Sequence, residues 1–216
     1  MQRDVIVDLG KTGFGKTLWS RVFLTKVKRK FIYDPLQSIE TRYVTKEEIQ
    51  EALSDETYLD VRQDEAFSYG IYDKDLLPIF ADLAHTLTNC FLVVEECSTV
   101  FDKGQRNLPE WMRRLVFQGR HRSVSLLFIA QRAVSIPIDI RSQANRIVTF
   151  QQHEDDDLGW LIGFFGKDKT AQMPFLPKLQ CYDYLNGQVT SYSIRQQVKK
   201  TLGITIQKQE SEYVYL

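Results

Sequence analysis

The chain has 216 residues, of which 43% are hydrophobic and 26% charged, and its 28 basic side chains balance its 28 acidic ones. This composition is globular and excludes a disordered or collagen-like chain, and no apolar run approaches the ~18 residues of a membrane span. Three cysteines, none in a CxxC pair, exclude a disulfide framework or a zinc ribbon and predict a reducing compartment.

Asp4–Leu9 (DVIVDL) reads as a buried strand. The next eight residues, Gly10, Lys11, Thr12, Gly13, Phe14, Gly15, Lys16 and Thr17, match G-x4-G-K-T in full. Glycines let the backbone curl until successive N–H groups face phosphate oxygens, and a following helix adds its positive end. In such a loop Lys16 reaches the β- and γ-phosphates and the Thr17 hydroxyl holds Mg2+. Thr17–Lys30 is predicted as that helix, with Lys26, Lys28, Arg29 and Lys30 as an exposed basic face at its end. Phe31–Tyr33 is predicted as a second strand, stopped by Asp34-Pro35. Lys46–Leu53 reads as a helix capped by Thr45, with Glu48 three residues on. Tyr69–Tyr72 is a small strand and Leu76–Thr88 a helix.

Cys90–Val94 (CFLVV) is a continuous apolar run, as in a central parallel strand covered on both faces. It delivers Glu95 and Glu96 to the strand's C-terminal edge, where open α/β sheets bind their ligands. Two acids allow two tasks. Glu95 would hold the Mg2+ shell, directly or through water, and Glu96 would act as general base toward water. The plainer alternative is a strand that simply runs out into an acidic surface.

Residues 103–146 hold nine Lys/Arg and two Asp/Glu, whereas residues 40–102 hold four and fifteen. A basic block suits contact with phosphates, of a nucleotide or a nucleic acid, and Lys103–Arg114 is the charge-based candidate for touching DNA. Pro109–Gly119 reads as a basic helix and Ser125–Ala130 as another buried strand, followed by Gln131-Arg132. A neutral amide there could orient the lytic water without adding negative charge. Arg120 and Arg122 stand just before that strand, and an arginine from a neighbouring subunit can neutralise charge that builds on a transferring phosphoryl group. Arg146–Phe150 is a further strand, and Glu154–Asp157 reads as the solvated start of a helix through Leu158–Phe165. Leu179–Leu185 and Gln188–Ile194 flank Asn186-Gly187, a hairpin signal, and the last dozen residues read as a loose tail. Strand–helix alternation predicts an α/β fold with a mostly parallel sheet flanked by helices.

Taken in order, GKTGFGKT, FIYDP, FLVVEE, GRHRSVSLLFIAQR and IRSQANRIVTFQ resemble the FtsK–HerA superfamily of P-loop ATPases. The small size resembles the genome-packaging ATPases of tailless icosahedral viruses with double jelly-roll capsids. The resemblance covers roughly residues 4–152. It implies a RecA-like core over residues 1–152, and residues 153–216 as a C-terminal extension packed on it with hairpin 179–194 and a tail. It also implies a homo-oligomeric ring of five or six subunits, ATP and Mg2+ between neighbours, and double-stranded DNA through the middle. Carried over by residue, Gly10–Thr17 binds nucleotide, Glu95 and Glu96 take the Walker B roles, and Gln131 is the polar sensor. Arg120 is the first choice for the trans-acting arginine and Arg122 the second. The first Walker B acid is usually Asp, so the longer Glu95 leaves its division of labour with Glu96 open. The implied function is ATP-driven packaging of viral double-stranded DNA in the host cytoplasm or at a packaging vertex, with a capsid or membrane protein as docking partner. The alternatives are a related ATPase that drives phage protein secretion or assembly, and a P-loop kinase of a small metabolite.

Overall fold

Val5, Val7 and Leu9 point to one side of the first strand, β1 (Val5–Leu9), and Ile6 and Asp8 to the other; all five are buried. A strand buried on both faces needs helices above and below it. The computed structural model, which describes residues 3–54, 65–102, 107–203, 206–208 and 213–215, has that arrangement. After β1 come α1 (Lys16–Leu24), β2 (Arg29–Tyr33), β3 (Arg42–Tyr43), α2 (Lys46–Ser54), β4 (Phe67–Ile71) and α3 (Leu77–Leu87). Next are β5 (Phe91–Val94), α4 (Glu110–Gln118), β6 (Ser125–Ala130), α5 (Ile138–Gln143), β7 (Arg146–Thr149) and α6 (Asp155–Gln172). The chain continues through β8 (Gln180–Leu185), β9 (Gln188–Ser193) and α7 (Arg195–Leu202).

One sheet contains these nine strands, in the order β3-β4-β2-β5-β6-β1-β7-β8-β9. Every pair from β3 to β7 is parallel, and β8 and β9 add an antiparallel end. Phe80 of α3, Leu115 of α4, Ile140 of α5 and Leu161 of α6 pack on one face; Trp19 and Val22 of α1 and Val198 of α7 pack on the other. Burying each of these large side chains stabilises the fold by about 1.5–3 kcal/mol. The α/β class, the parallel sheet and the C-terminal hairpin therefore stand as the sequence predicts.

Local signals explain most of the elements. Thr45 and Glu48 form a reciprocal cap on α2: the Thr45 amide donates to Glu48 Oε2 at 2.7 Å, and the Glu48 amide donates to Thr45 Oγ1 at 3.2 Å. Asn186 and Gly187 both adopt positive φ, 48° and 90°, which joins β8 to β9 in a tight turn.

Three expectations need correction. The first helix ends at Leu24 rather than Lys30, because Lys30 belongs to β2 and its ammonium donates to the carbonyls of Leu24 and Val27, closing the helix end. Arg29 is buried rather than exposed; it donates to the carbonyls of Glu65 and Leu87 and lies over the Phe67 ring. Asp157 is also fully buried, within a helix start expected to be solvated, because it accepts from Arg132 and from the Val134 amide. The hairpin extends the main sheet, β8 pairing antiparallel with β7. Helices α5 and α7 were not anticipated. In the tail, Ile206–Lys208 pairs with Tyr213–Tyr215, and residues 103–106 of the basic candidate Lys103–Arg114 lie outside the described residues. No helix among the described residues is long and apolar enough to cross a membrane.

Candidate functional site

The phosphate loop follows β1 directly and opens α1. Gly10 and Gly15 have φ of 151° and 122°, and a Cβ on Gly10 would sit 2.6 Å from Cβ of Phe150. A Cβ on Gly15 would meet the Phe150 ring at 2.9 Å and Ile194 and Leu179 at 3.1 Å. Only glycine fits at both positions, by conformation and by space. Phe150 thus forms the floor of the loop, and the Leu179 amide donates to the Phe14 carbonyl at 3.0 Å from the hairpin side. Lys11, Thr12 and Gly13 are exposed at the crest. The first amides of α1 have no carbonyl one turn earlier to accept from them, so they present a positive helix end to the loop's concave side.

Lys16 is buried, and its ammonium donates to the Gly10 carbonyl at 2.5 Å and the Lys11 carbonyl at 3.3 Å. Burial lowers its proton affinity, while the carboxylates of Asp8, Glu96 and Glu95 oppose that. Thr17 Oγ1 donates to Glu95 Oε1 at 3.1 Å. This one bond joins the two motifs expected to share a metal ion. Glu95 Oε2 is buried and has no hydrogen-bond partner. An orphaned carboxylate oxygen beside the Thr17 hydroxyl is the donor set a hard cation takes, so the residues fit Mg2+.

Glu96 follows in the left-handed conformation, φ 55° and ψ 67°, which turns it away from the strand. Its Oε1 accepts from the Ser98 hydroxyl at 2.5 Å and its Oε2 from Gln131 Nε2 at 3.4 Å. Gln131 reaches it because β6 lies between β1 and β5, so its C-terminal end stands between the phosphate loop and the acids. Lys16, Thr17, Glu95, Glu96 and Gln131 therefore meet at one edge of the sheet. Arg120 and Arg122 do not. They are exposed in the turn that precedes β6, at the opposite edge, about 15–20 Å of strand from the loop. Arg120 Nε instead faces His121 Nε2 at 3.3 Å. Neither arginine can serve the phosphate loop of its own chain.

No protein-family model matches the chain, and no curated protein does. Solved structures do. The genome packaging NTPase B204 of Sulfolobus turreted icosahedral virus 2, in complex with AMPPCP, superposes with a TM-score of 0.69 at 17% identity, over 88% of this chain and 97% of that one. VirB4 of Thermoanaerobacter pseudethanolicus gives 0.57 at 11% identity, over 87% and 88%. The N-terminal domain of zonular occludens toxin from Neisseria meningitidis gives 0.50 at 13%, over 93% and 99%. The fold is that of the P-loop ATPases.

Within this P-loop fold, three site-lining residues escaped the sequence reading. Asp34, taken as a strand stop, is fully buried at the end of β2 and accepts from the Leu36 and Ile39 amides and the hydroxyls of Ser38 and Tyr43. Its charge faces Glu95. Asp8 lies under α1, where Ser20 Oγ donates to it at 2.9 Å; burial pushes its carboxyl well above the usual range, with Lys16 pulling the other way. The signal was available: Asp8 is the polar residue in an otherwise apolar central strand. Gln152 is the third, and carried no such signal.

Burial pushes the Glu95 carboxyl up from 4.5 to about 7, with the Asp34 charge adding to it and the Thr17 hydrogen bond and Lys16 opposing. The folded protein then holds this proton more tightly than the unfolded chain. The stability linked to it is fully present below pH 4.5 and is lost as pH rises through about 7. Urea midpoints of the nucleotide-free protein between about pH 5 and pH 8 are expected to fall relative to those of Glu95→Gln. Parallel curves for the two proteins would rule this out.

Proposed function

We propose that this protein is an Mg2+-dependent ATPase that drives double-stranded DNA into a viral capsid. The observation that carries the ATPase reading is the Thr17–Glu95 hydrogen bond beside the Glu96–Gln131 pair, at the rim of a phosphate loop. The packaging reading is supported by the match to the B204 packaging NTPase over nearly the whole of both chains.

Each residue has a task in this reading. The loop amides from Gly13 to Thr17 and the Lys16 ammonium bind the β- and γ-phosphates. Thr17 and Glu95 would hold Mg2+, which neutralises charge on the phosphate oxygens when bound. Glu96 takes the proton of the attacking water, and Gln131 orients that water through its amide. A kinase must keep water from the γ-phosphate, whereas here a base and an amide already touch each other at its site. Arg120, with Arg122 as second choice, would reach the nucleotide of a neighbouring subunit in a ring, which suits their place at the far sheet edge. A capsid-vertex or membrane protein would hold the ring in place.

The test is the ATPase rate against protein concentration, with and without duplex DNA. Expected are a steep concentration dependence, because each site needs a neighbour's arginine, and stimulation by DNA that weakens as salt rises. A rate strictly proportional to protein concentration removes the shared site. Indifference to DNA at all salt concentrations removes the translocase.

A further inference from the structure

Gln152 is 4% exposed and belongs to none of the motifs. Its Nε2 donates to the backbone carbonyl of Gln131 at 3.1 Å. The residue before it is tied to the phosphate loop: the Lys11 amide donates to the Gln151 carbonyl at 3.1 Å. Gln151 is held in turn by its own Nε2, which donates to the Pro174 carbonyl at 2.9 Å. Gln152 thus starts at the end of β7 and reaches the end of β6, across β1, the strand that carries the phosphate loop. Two strand spacings are about 9–10 Å, a span that suits a long amide and defeats Ser or Asn. The Gln131 carbonyl stands just past the end of β6, where no ladder bond continues, and a carbonyl at such a place needs a donor from elsewhere. A neutral donor supplies it without burying a second cation near Lys16.

The other side of Gln131 is anchored too. Arg132 Nε donates to Asp157 at 2.9 Å, and the Val134 amide donates to the same carboxylate at 3.1 Å. The backbone is held on both flanks, and the exposed side chain of Gln131 touches Glu96.

We propose that Gln152 is a positioning residue: its amide holds the Gln131 carbonyl in register with the phosphate loop, so that Gln131 and Glu96 present water to the γ-phosphate at a fixed distance. This rests on the ATPase reading above. A misplacement of about 1 Å at a reacting centre is enough to cost orders of magnitude in rate.

Steady-state ATP hydrolysis by the full chain tests it, on wild type, Gln152→Met and Gln152→Glu, with nucleotide affinity and urea midpoints measured in parallel. Met matches the length and apolar fit of Gln but donates nothing. Its kcat is expected to fall about tenfold or more, with KM and nucleotide affinity within about twofold of wild type. A Glu at this position donates only when protonated. The kcat of Gln152→Glu relative to wild type should therefore climb as pH falls, and that of Gln152→Met should not. An unchanged kcat in Gln152→Met, or KM and kcat lost together with stability, overturns the positioning role. Should Gln152→Met fail to fold, the pH profile of Gln152→Glu decides alone, a flat ratio overturning the role. A wild type that hydrolyses no ATP removes the ATPase reading and this role with it; a normal wild type with an equally active Gln152→Met removes only the latter.

Discussion

Replacing Lys16 with alanine is expected to abolish ATP hydrolysis, a fall of at least about 10²–10³ in kcat, and to weaken nucleotide binding. The reason lies in the charges around it. Asp8, Glu95 and Glu96 all act on this ammonium, which makes Lys16 the cation that balances three carboxyl groups under one loop. Its donors now rest on the Gly10 and Lys11 carbonyls, so the side chain already lies along the loop it serves. Without it, the amides of the loop would have to hold a triphosphate beside three acids. Equilibrium titration with a fluorescent ATP analogue, alongside phosphate release, checks both halves. Wild-type affinity in Lys16→Ala would show that the backbone alone carries binding, and wild-type turnover would remove the loop from the chemistry altogether.

Glu96→Gln is expected to separate binding from turnover. The amide keeps the size of the side chain and can still meet Ser98 and Gln131, but it cannot take a proton from water. Turnover should fall by about 10²–10⁴ while ATP affinity stays close to wild type. The left-handed backbone at Glu96 fixes where the side chain points, so a conservative change should not move it. Quench-flow measurement of bound ATP and ADP checks this. Hydrolysis near the wild-type rate would pass the role of base to Glu95. That outcome matters because Glu95 is the longer of the two usual choices for the metal acid, and its buried Oε2 still lacks a partner.

The fold and half of the site were legible because they are local. A buried strand, a glycine loop and a helix follow one another within the first 24 residues, and periodicity marks each of them. The FLVV run with two acids is equally self-contained. What stayed hidden depends on contacts far apart in sequence. Arg29 looks like one more base in a basic run, yet carbonyls at residues 65 and 87 draw it into the interior. Asp157 looks like one of four solvated acids, yet Arg132 holds it from 25 positions away. Asp34 reads as the end of a strand, and nothing in its neighbours' letters says that this end faces Glu95. Helix α5 has only six residues, too few for a helical period to emerge. The placement of Arg120 and Arg122 at the far edge was implicit in the strand direction, since residues before a parallel strand cannot share the end where the phosphate loop lies.

Phe150, Leu179 and Ile194 together build the support beneath the phosphate loop, although the loop itself ends at Thr17. During synthesis the loop is made well before its support, so the chain must be built as far as Ile194 before all three props can reach Gly15. Bracing of the loop therefore depends on closing contacts far apart in sequence, which form more slowly than local ones.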